Sequence, residues 1–324
     1  MSETNAAVLL MAYGTPETLD DVGPYFTHIR GGRAPSADAI QHLRERYERV
    51  GGGTPLRAIT ETVRDRLEQA LAADGRPRRV YFAMKHWHPY IADVVTRMVQ
   101  DGITNVTAIV LAPHYSRMSI GSYRKTVEET NAELGSPLRI TFVESWHRRQ
   151  EFVEMMSKLV VEGLAKFGSQ SDKVLPVFTA HSLPARIREW KDPYEIELMT
   201  SAASVAERLE MADWRFAWQS AGGTTEPWLG PDILEYLETL RTEGVAYVLQ
   251  IPIGFVSDHL EVLYDIDLEA KQKASELGIT LERTPLPNAT PAMIRTLLAI
   301  VRDPAVAPNL EPRATEQLAG RTAR

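Results

Sequence analysis

Apolar and polar positions along the chain alternate in two ways, and this alternation predicts the fold class. Short runs rich in β-branched residues are separated by longer stretches in which apolar residues recur every three or four positions. The first pattern predicts strands and the second predicts helices. The strands are predicted near residues 6–13, 79–85, 105–112, 139–145, 174–180, 214–219, 246–253 and 280–285. Such regular exchange is typical of parallel sheets covered by helices on both faces, so we expect an α/β protein.

The order of these elements predicts two halves. Helical patterns include residues 59–73, 91–100, 148–166, 202–209 and 290–301. Four predicted strands precede Trp146 and four follow it, which indicates two similar Rossmann-like halves, each a four-stranded parallel sheet flanked by helices, with an active cleft between them. The halves are expected at residues 1–146 and 147–287, with the helix at 288–305 joined to the first half and 306–324 as a flexible tail.

Composition narrows the range of functions. The 324 residues are 44% apolar and carry a net charge of −7 with a pI near 5.7, which argues against nucleic acid or an anionic membrane as the main partner. No apolar stretch approaches the roughly 20 residues of a membrane span, and no basic segment precedes the first apolar run, so we expect a cytoplasmic protein. Cysteine is absent, which excludes iron–sulfur clusters and thiolate metal sites.

An acidic segment directly follows the seventh predicted strand. On an α-helix, Asp258, Glu261, Asp265 and Glu269 would lie within an arc of about 80°. No Lys or Arg occurs between Thr242 and Ala270. Ligands of open α/β sheets bind beyond the carboxyl ends of the strands, so this row predicts a path for a hard or borderline cation. The alternative is a solvated acidic helix face.

Two further strand ends carry chemistry. His181 ends the fifth predicted strand, and together with Glu261 it would form a nitrogen and oxygen site suited to Fe²⁺, Co²⁺ or Zn²⁺, or a proton acceptor near neutral pH. A buried structural histidine is the alternative. Ser182 as a hydrolase nucleophile is disfavoured, because no G-x-S-x-G motif surrounds it. Tyr13, after the first strand, could provide a phenolate ligand or simply pack in the core.

Cations and glycines concentrate between residues 30 and 55 of this acidic chain. Arg30-Gly-Gly-Arg33 and the segment from Arg44 to Pro55 combine groups that recognise carboxylates with glycines that let backbone N–H groups approach a ligand. We expect an anion-binding cradle here, although helical Arg and Glu residues also pair on surfaces. His86 and His88 are nearby candidates for metal ligands, but their spacing in an extended segment is poor for binding one metal from both.

These residues occur in motifs that resemble the ferrochelatase family, most closely its bacterial coproporphyrin III branch, over roughly residues 6–302. The motifs are Met11-Ala-Tyr-Gly-Thr-Pro16, Tyr25-Phe-Thr-His-Ile-Arg30, Leu111-Ala-Pro-His114, Ala180-His-Ser-Leu-Pro184, Trp218-Gln-Ser220, Pro227-Trp-Leu-Gly-Pro231 and the run from Gly254 to Asp265. The resemblance implies a chelatase-like fold and a lyase-type metallochelatase. It implies insertion of Fe²⁺ into coproporphyrin III, giving Fe-coproporphyrin III (coprohaem) in haem biosynthesis.

The resemblance also implies roles for individual residues. His181 and Glu261 match the catalytic pair, and together with Asp265 and Glu269 they match the metal-binding row. Tyr13 matches a catalytic and substrate-binding residue that can ligate iron from the opposite porphyrin face. Positions that contact propionates or the ring are matched by Arg30, Arg46, Tyr47, Thr54 and Tyr123. Thr54 stands where a serine is familiar, and His88 stands where an acid is expected.

The residues and the resemblance together give expectations for the substrate, the cofactor and the partners. Coproporphyrin carries four propionates and protoporphyrin two, so the Arg-rich segment favours the tetra-acid substrate. Fe²⁺ is a substrate, and no bound cofactor is expected to be required. The chain is expected to be a monomer, with the downstream coprohaem decarboxylase as a candidate transient partner. The alternatives are a protoporphyrin IX ferrochelatase, a cobalt or nickel sirohydrochlorin chelatase, and a non-enzymatic haem or metal-binding module.

Overall fold

Eight strands form two separate parallel sheets of four strands each. The computed structural model describes residues 5–222 and 225–304. The strands are β1 Ala6–Ala12, β2 Arg79–Met84, β3 Asn105–Val110, β4 Arg139–Val143, β5 Leu175–His181, β6 Arg215–Gln219, β7 Tyr247–Pro252 and β8 Thr280–Arg283. All eight predicted strands are confirmed, and so is the α/β class. The central strands are almost wholly buried, as expected for parallel strands covered on both faces.

Helices connect these strands. They are α1 Val22–Ile29, α2 Ala37–Arg49, α3 Leu56–Ala73, α4 Ile91–Gln100, α5 Ile120–Glu133, α6 Gln150–Ala165, α7 Tyr194–Arg208, α8 Ile233–Thr242, α9 Lys271–Glu276 and α10 Pro291–Arg302, with a π-helix over Glu261–Ala270. The five helices predicted from periodicity are therefore present, with shifted ends. In the described part of the chain, no helix combines the length and hydropathy needed to cross a bilayer.

The two sheets share one topology. Their strand orders are β2-β1-β3-β4 and β6-β5-β7-β8, so each chain segment starts at an inner strand, moves to one edge, and then crosses to the other side. The connections from β1 and β3, and from β5 and β7, therefore leave in opposite directions. Ligands of open α/β sheets bind outside the carboxyl ends at such switch points. Tyr13 follows β1 and His181 ends β5, so both lie at a switch point.

The chain divides into two compact units. Of the described residues, the first unit contains 5–146, 257–260 and 288–304, and the second contains 147–222, 225–256 and 261–287. Residues 257–260 belong to the first unit, and two hydrogen bonds between Asp258 and Asn288 connect them to it. The backbone N–H of Asp258 donates to Asn288 Oδ1 (2.9 Å), and Asn288 Nδ2 donates to Asp258 Oδ2 (2.7 Å). The predicted flexible tail, 306–324, lies outside the described residues.

The acidic segment differs from its predicted α-helix. Residues Glu261–Ala270 form a π-helix, and Asp258 precedes it and pairs with Asn288. The predicted row of four carboxylates is therefore wrong at Asp258. Glu261, Asp265 and Glu269 are spaced by four residues, slightly more than one α-helical turn and less than the i→i+5 hydrogen-bonded span of a π-helix, so they stay on one side. Long π-helices are rare, and π-helical segments are frequent at functional sites.

A buried histidine in the second unit gives the fold a defined response to acid. The side chains of His147 and Glu197 are 1% and 2% exposed, and His147 Nδ1 lies 3.4 Å from Glu197 Oε2. Burial, with a smaller effect of Arg148, lowers the pKa of His147 to about 3. The folded chain therefore keeps this imidazole neutral at pH values where the unfolded chain, with a His pKa near 6.5, binds a proton.

We expect His147 to make the protein less stable as the pH falls from about 6.5 toward 3. Since the unfolded state binds the additional proton, the free energy of unfolding loses about 2 kcal/mol between pH 7 and pH 5 from this residue. Urea unfolding at both pH values should show a smaller loss in His147→Gln than in wild type. The exposed His42→Gln is the control and should lose as much as wild type. An unchanged loss in His147→Gln would contradict this account.

Candidate active site

Backbone pairing continues past the ends of β1 and β2 and brings predicted site residues together in the first unit. The N–H of Lys85 donates to Ala12 O and that of His86 to Tyr13 O, both at 2.9 Å. The Tyr13 and His86 rings consequently lie 4.6 Å apart at an angle of 58°. Tyr13 is 40% exposed, which disagrees with the alternative of a tyrosine packed in the core. Its phenol is accessible to a ligand.

Histidines cluster around this tyrosine. His28 Nδ1 and His86 Nδ1 are 3.2 Å apart, and the His28 ring stacks on Tyr90 at 4.7 Å. Burial, followed by the charges of Lys85 and His28, lowers the pKa of His86 to about 3. The imidazole is therefore neutral near pH 7 and pairs with His28 through a single hydrogen bond. The exposed His88 packs on Tyr90 at 4.4 Å, so its neighbour is an aromatic ring.

Hydroxyl groups form a cluster beneath the cationic segment. Thr15 Oγ1 lies 2.9 Å from Thr54 Oγ1 and donates to the Tyr47 hydroxyl at 3.4 Å. Tyr47 is buried at the end of α2, and Thr54 is half-buried in the loop that follows. The structure therefore brings together two predicted substrate-binding residues through Thr15, a residue that sequence reasoning missed. Its position in the first motif, directly after Gly14, is the signal that could have found it.

The arginines of this segment differ in their partners. Arg44 contacts the carboxylates of Asp20 and Glu48, both at 3.3 Å. Arg30, exposed at the end of α1, lies over the Phe26 ring at 6.0 Å and has no carboxylate partner among the residues that the structure describes. Arg46 is half-buried on α2. Arg30 therefore presents an unneutralised guanidinium, whereas Arg44 belongs to a surface network.

The glycines of the predicted cradle have another role. Gly51 and Gly52 adopt φ values of 101° and 87°, and their N–H groups donate to Glu48 O (3.0 Å) and Tyr47 O (2.8 Å) at the end of α2. These glycines terminate the helix, as residues in the left-handed region commonly do. The expectation that their backbone N–H groups approach a ligand is therefore wrong, and side chains must provide the anion contacts.

His181 is held at the end of β5 in the second unit. Its Nδ1 contacts the carbonyl of Ser182, and a carbonyl can only accept, so Nδ1 donates in this contact. The Tyr194 hydroxyl donates to the His181 carbonyl at 3.0 Å, and Ser182 N–H donates to Gln219 O at 2.7 Å. These contacts fix the strand end, and the imidazole is half-buried there.

The three carboxylates of the π-helix differ in exposure. Glu269 is exposed, Glu261 is half-buried, and Asp265 is 8% exposed and accepts a hydrogen bond from Ser220 Oγ. Ser220 follows β6 with a φ of 60°, a conformation that non-glycine residues adopt at a cost. Sequence reasoning named Ser220 within a motif and missed this role. The backbone of Ser220 adopts this left-handed conformation where its hydroxyl binds Asp265, which indicates that the position of the hydroxyl is constrained.

Basic residues near this row are bound to other carboxylates. Arg283 Nε and Nη2 contact Asp267 at 2.8 and 2.9 Å, and Lys271 Nζ lies 3.4 Å from Glu282. The carboxylates of these contacts, Asp267 and Glu282, lie outside the row of Glu261, Asp265 and Glu269. Over residues 5–222 and 225–304, no three His, Asp or Glu side chains are grouped closely enough to hold a metal ion. Metal binding by His181 and the row stays a prediction.

Comparisons of the sequence with known proteins agree with this arrangement. The Ferrochelatase family model matches residues 5–305. The chain belongs to the ferrochelatase family. Similar relatives are a ferrochelatase of Herpetosiphon aurantiacus, 49% identical over 91% of this chain and 97% of the relative, and the coproporphyrin III ferrochelatases of Anoxybacillus flavithermus (42%, 93% and 96%) and Bacillus subtilis (41%, 93% and 98%).

Membership decides between the broad alternatives. The predicted enzyme class, a lyase-type chelatase that inserts metal into a porphyrin in haem synthesis, is confirmed, and a non-enzymatic module is excluded. Among solved structures, SirB from Bacillus subtilis with Fe³⁺ has a TM-score of 0.59 at 11% identity, covering 94% of this chain and 96% of SirB. SirB with cobalt has a TM-score of 0.54 at 12% identity, with 93% and 95% covered. These likenesses confirm the chelatase-like fold.

We expect Ser220 to act through its hydroxyl on Asp265. Ser220→Ala removes the hydrogen bond that Asp265 accepts and should lower the free energy of unfolding by about 1 kcal/mol, whereas Ser220→Gly should lose less because glycine adopts a φ of 60° freely. If Asp265 handles iron, both variants should raise the KM for Fe²⁺ by a similar factor. Anaerobic initial rates and thermal unfolding measure this. A wild-type KM for iron in both variants would exclude the role of the hydroxyl.

Proposed function

We propose that the chain inserts Fe²⁺ into coproporphyrin III and produces Fe-coproporphyrin III. The observation that carries the substrate assignment is the cationic segment of residues 30–54, together with the hydroxyl cluster formed by its Thr54 and its buried Tyr47. Its Arg30 has no carboxylate partner in the described chain, and its Tyr47 and Thr54 hydroxyls meet at Thr15. Guanidinium and hydroxyl groups match propionates, of which coproporphyrin carries four. The names of the Anoxybacillus and Bacillus relatives support the same substrate.

In this proposal the first unit binds the macrocycle. Arg30, Arg46, Tyr47, Thr54 and Tyr123 contact propionates or the ring. Tyr13 has an exposed phenol and would ligate the iron of the product after dioxygen has oxidised it to the ferric state, because an anionic oxygen donor favours ferric iron. His86, whose ring lies beside that of Tyr13, is neutral near pH 7.

The second unit is proposed to deliver iron and remove protons. Fe²⁺ passes from the exposed Glu269 to Asp265 and Glu261, which are both less exposed than Glu269, and this suits a loss of hydration. Insertion releases two pyrrole protons for each iron that enters. His181 accepts one of these protons on Nε2, while its Nδ1 contacts the Ser182 carbonyl, and the Glu261 carboxylate accepts the other. One nitrogen cannot hold iron and a proton at once, so His181 performs these two roles in succession.

Several expectations stay predictions. They are a cytoplasmic location, a monomeric state, activity without a bound cofactor, and transient contact with the downstream coprohaem decarboxylase. A protoporphyrin IX ferrochelatase is the second candidate function, since the 49% identical relative is named ferrochelatase without a stated porphyrin. The sirohydrochlorin chelatases share the fold, and at 11–12% identity this likeness supports the fold and not the activity.

The substrate proposal predicts that the protein inserts anaerobic Fe²⁺ into coproporphyrin III faster than into protoporphyrin IX. Because Arg30 has no carboxylate partner in the described residues, Arg30→Gln should raise the KM for coproporphyrin III about tenfold, the loss expected for one charge-assisted contact. Initial rates can be followed from the absorption bands of the metalloporphyrin.

Arg44→Gln is the matched control for this experiment. It removes an arginine from the neighbouring helix, but one already paired with Asp20 and Glu48, so its KM should stay near wild type. Equal or reversed wild-type rates for the two porphyrins would overturn the substrate assignment. Equal effects of the two substitutions would show that Arg30 acts only through the general charge of the surface.

A further inference from the structure

Three buried polar side chains form an amide layer in the second sheet, near the carboxyl ends of its strands. They are Thr179 on β5, Gln219 on β6 and Gln250 on β7, which are 0%, 1% and 0% exposed. The register of the strands places all three on one face of the sheet. Gln250 Nε2 donates to Thr179 Oγ1 at 3.2 Å and to Gln219 Oε1 at 3.3 Å, so one amide connects β7, β5 and β6.

The amide layer interrupts a face that is otherwise apolar. Two residues before its three members, on the same face, the strands carry Val177, Ala217 and Val248, which belong to the hydrophobic core. Buried amides are costly unless their polar atoms find partners. Gln219 Nε2 and Gln250 Oε1 have no hydrogen-bond partner among the residues that the structure describes. Incompletely bonded amides contribute little to stability, which favours a role of the layer at the site.

Gln219 connects the amide layer to two groups of the candidate site. It is the register partner of His181, and its backbone carbonyl accepts the N–H of Ser182 at 2.7 Å. The next residue, Ser220, adopts a φ of 60° and donates to Asp265. A shift of Gln219 would therefore move the hydroxyl that binds Asp265.

We propose that Gln250 is a positioning residue for iron binding. Its amide holds the side chain of Gln219, and Gln219 in turn sets the place of the Ser220 hydroxyl beside Asp265. Gln250 is fully buried, so it acts only through its neighbours. The inference rests on the proposed function for the passage of iron along Asp265, and it adds a residue that the acidic row alone does not reveal.

The test separates iron binding from porphyrin binding. Gln250→Met keeps an unbranched side chain and removes both hydrogen bonds of the amide layer. We expect the KM for Fe²⁺ to rise about fivefold, the loss expected for one neutral hydrogen bond, and the KM for porphyrin to stay within about twofold of wild type. Anaerobic initial rates, with each substrate varied in turn, measure both constants. The same rise is expected with coproporphyrin III and with protoporphyrin IX, so the result does not depend on the porphyrin preference.

A double variant tests the route through Ser220. If Gln250 acts by placing the Ser220 hydroxyl, Gln250→Met should change the KM for Fe²⁺ by less than about twofold once Ser220→Ala is present. Factors that multiply in full would overturn the proposal, because they would show independent effects. So would an equal rise of both KM values in Gln250→Met, since that is the result of general damage to the fold.

Thr284→Val is the matched control. Thr284 is fully buried, its N–H donates to Gln250 O at 3.1 Å, and its hydroxyl has no partner within the described residues. It follows Arg283, the register partner of Gln250, so its side chain lies on the opposite face from the amide layer. Both KM values should therefore stay at wild type in this variant, and thermal unfolding compares the stability of all variants.

A milder variant covers the case in which Gln250→Met does not fold. Thr179→Val removes the other partner of the Gln250 amide with little change in volume, and it should raise the KM for Fe²⁺ by about twofold or more. A raised KM in Ser220→Ala together with a wild-type KM in Gln250→Met, or in Thr179→Val where it replaces that variant, would overturn the role of Gln250 alone. A wild-type KM in all of them would remove Asp265 from the iron path as well.

Discussion

Parallel strand pairing is the constraint on which the site depends. Parallel ladders place the carboxyl ends of all strands at one edge, and in both units the hydrogen bonds continue past the strands, through Lys85 to Ala12 in one and Ser182 to Gln219 in the other. These hydrogen bonds therefore hold the backbone of the residues that directly follow a strand. This is why Tyr13 lies beside His86, and why Nδ1 of His181 meets the Ser182 carbonyl, without either residue belonging to a flexible loop.

Charge is divided between the units in a way that fits two different substrates. In the first unit, Arg30 and Lys85 lack carboxylate partners within the described residues, whereas Arg44 is fully paired. In the second, the cations nearest to the π-helix, Lys271 and Arg283, are bound to Glu282 and Asp267. The first unit thus presents cations without carboxylate partners in the described chain, and the second presents a row of carboxylates. A porphyrin with acidic side chains and a divalent ion require complementary surfaces of these two kinds.

The sequence predicted the parts of this structure that bury a periodic apolar face. Every strand, and helices such as α4, showed that periodicity. Helix α2 did not, because Tyr47 is its one fully buried side chain, so the segment from Arg44 to Pro55 was interpreted as part of an anion-binding cradle. Two features depend on distant partners that no local pattern encodes. Asn288 removes Asp258 from the acidic row, and Thr15 joins Tyr47 to Thr54. The π-helix likewise has no signature in a four-residue acidic spacing.

The division of labour between the units is the central claim, and single-turnover kinetics test it directly. Enzyme saturated with coproporphyrin III is mixed with anaerobic Fe²⁺, so porphyrin binding no longer contributes to the observed rate. His181→Ala should slow insertion by about 100-fold or more, since general base catalysis contributes that much. Arg30→Gln should stay within about twofold of wild type, because its effect lies in binding alone. The account would be contradicted by a wild-type rate in His181→Ala, or by a loss in Arg30→Gln as large as that in His181→Ala.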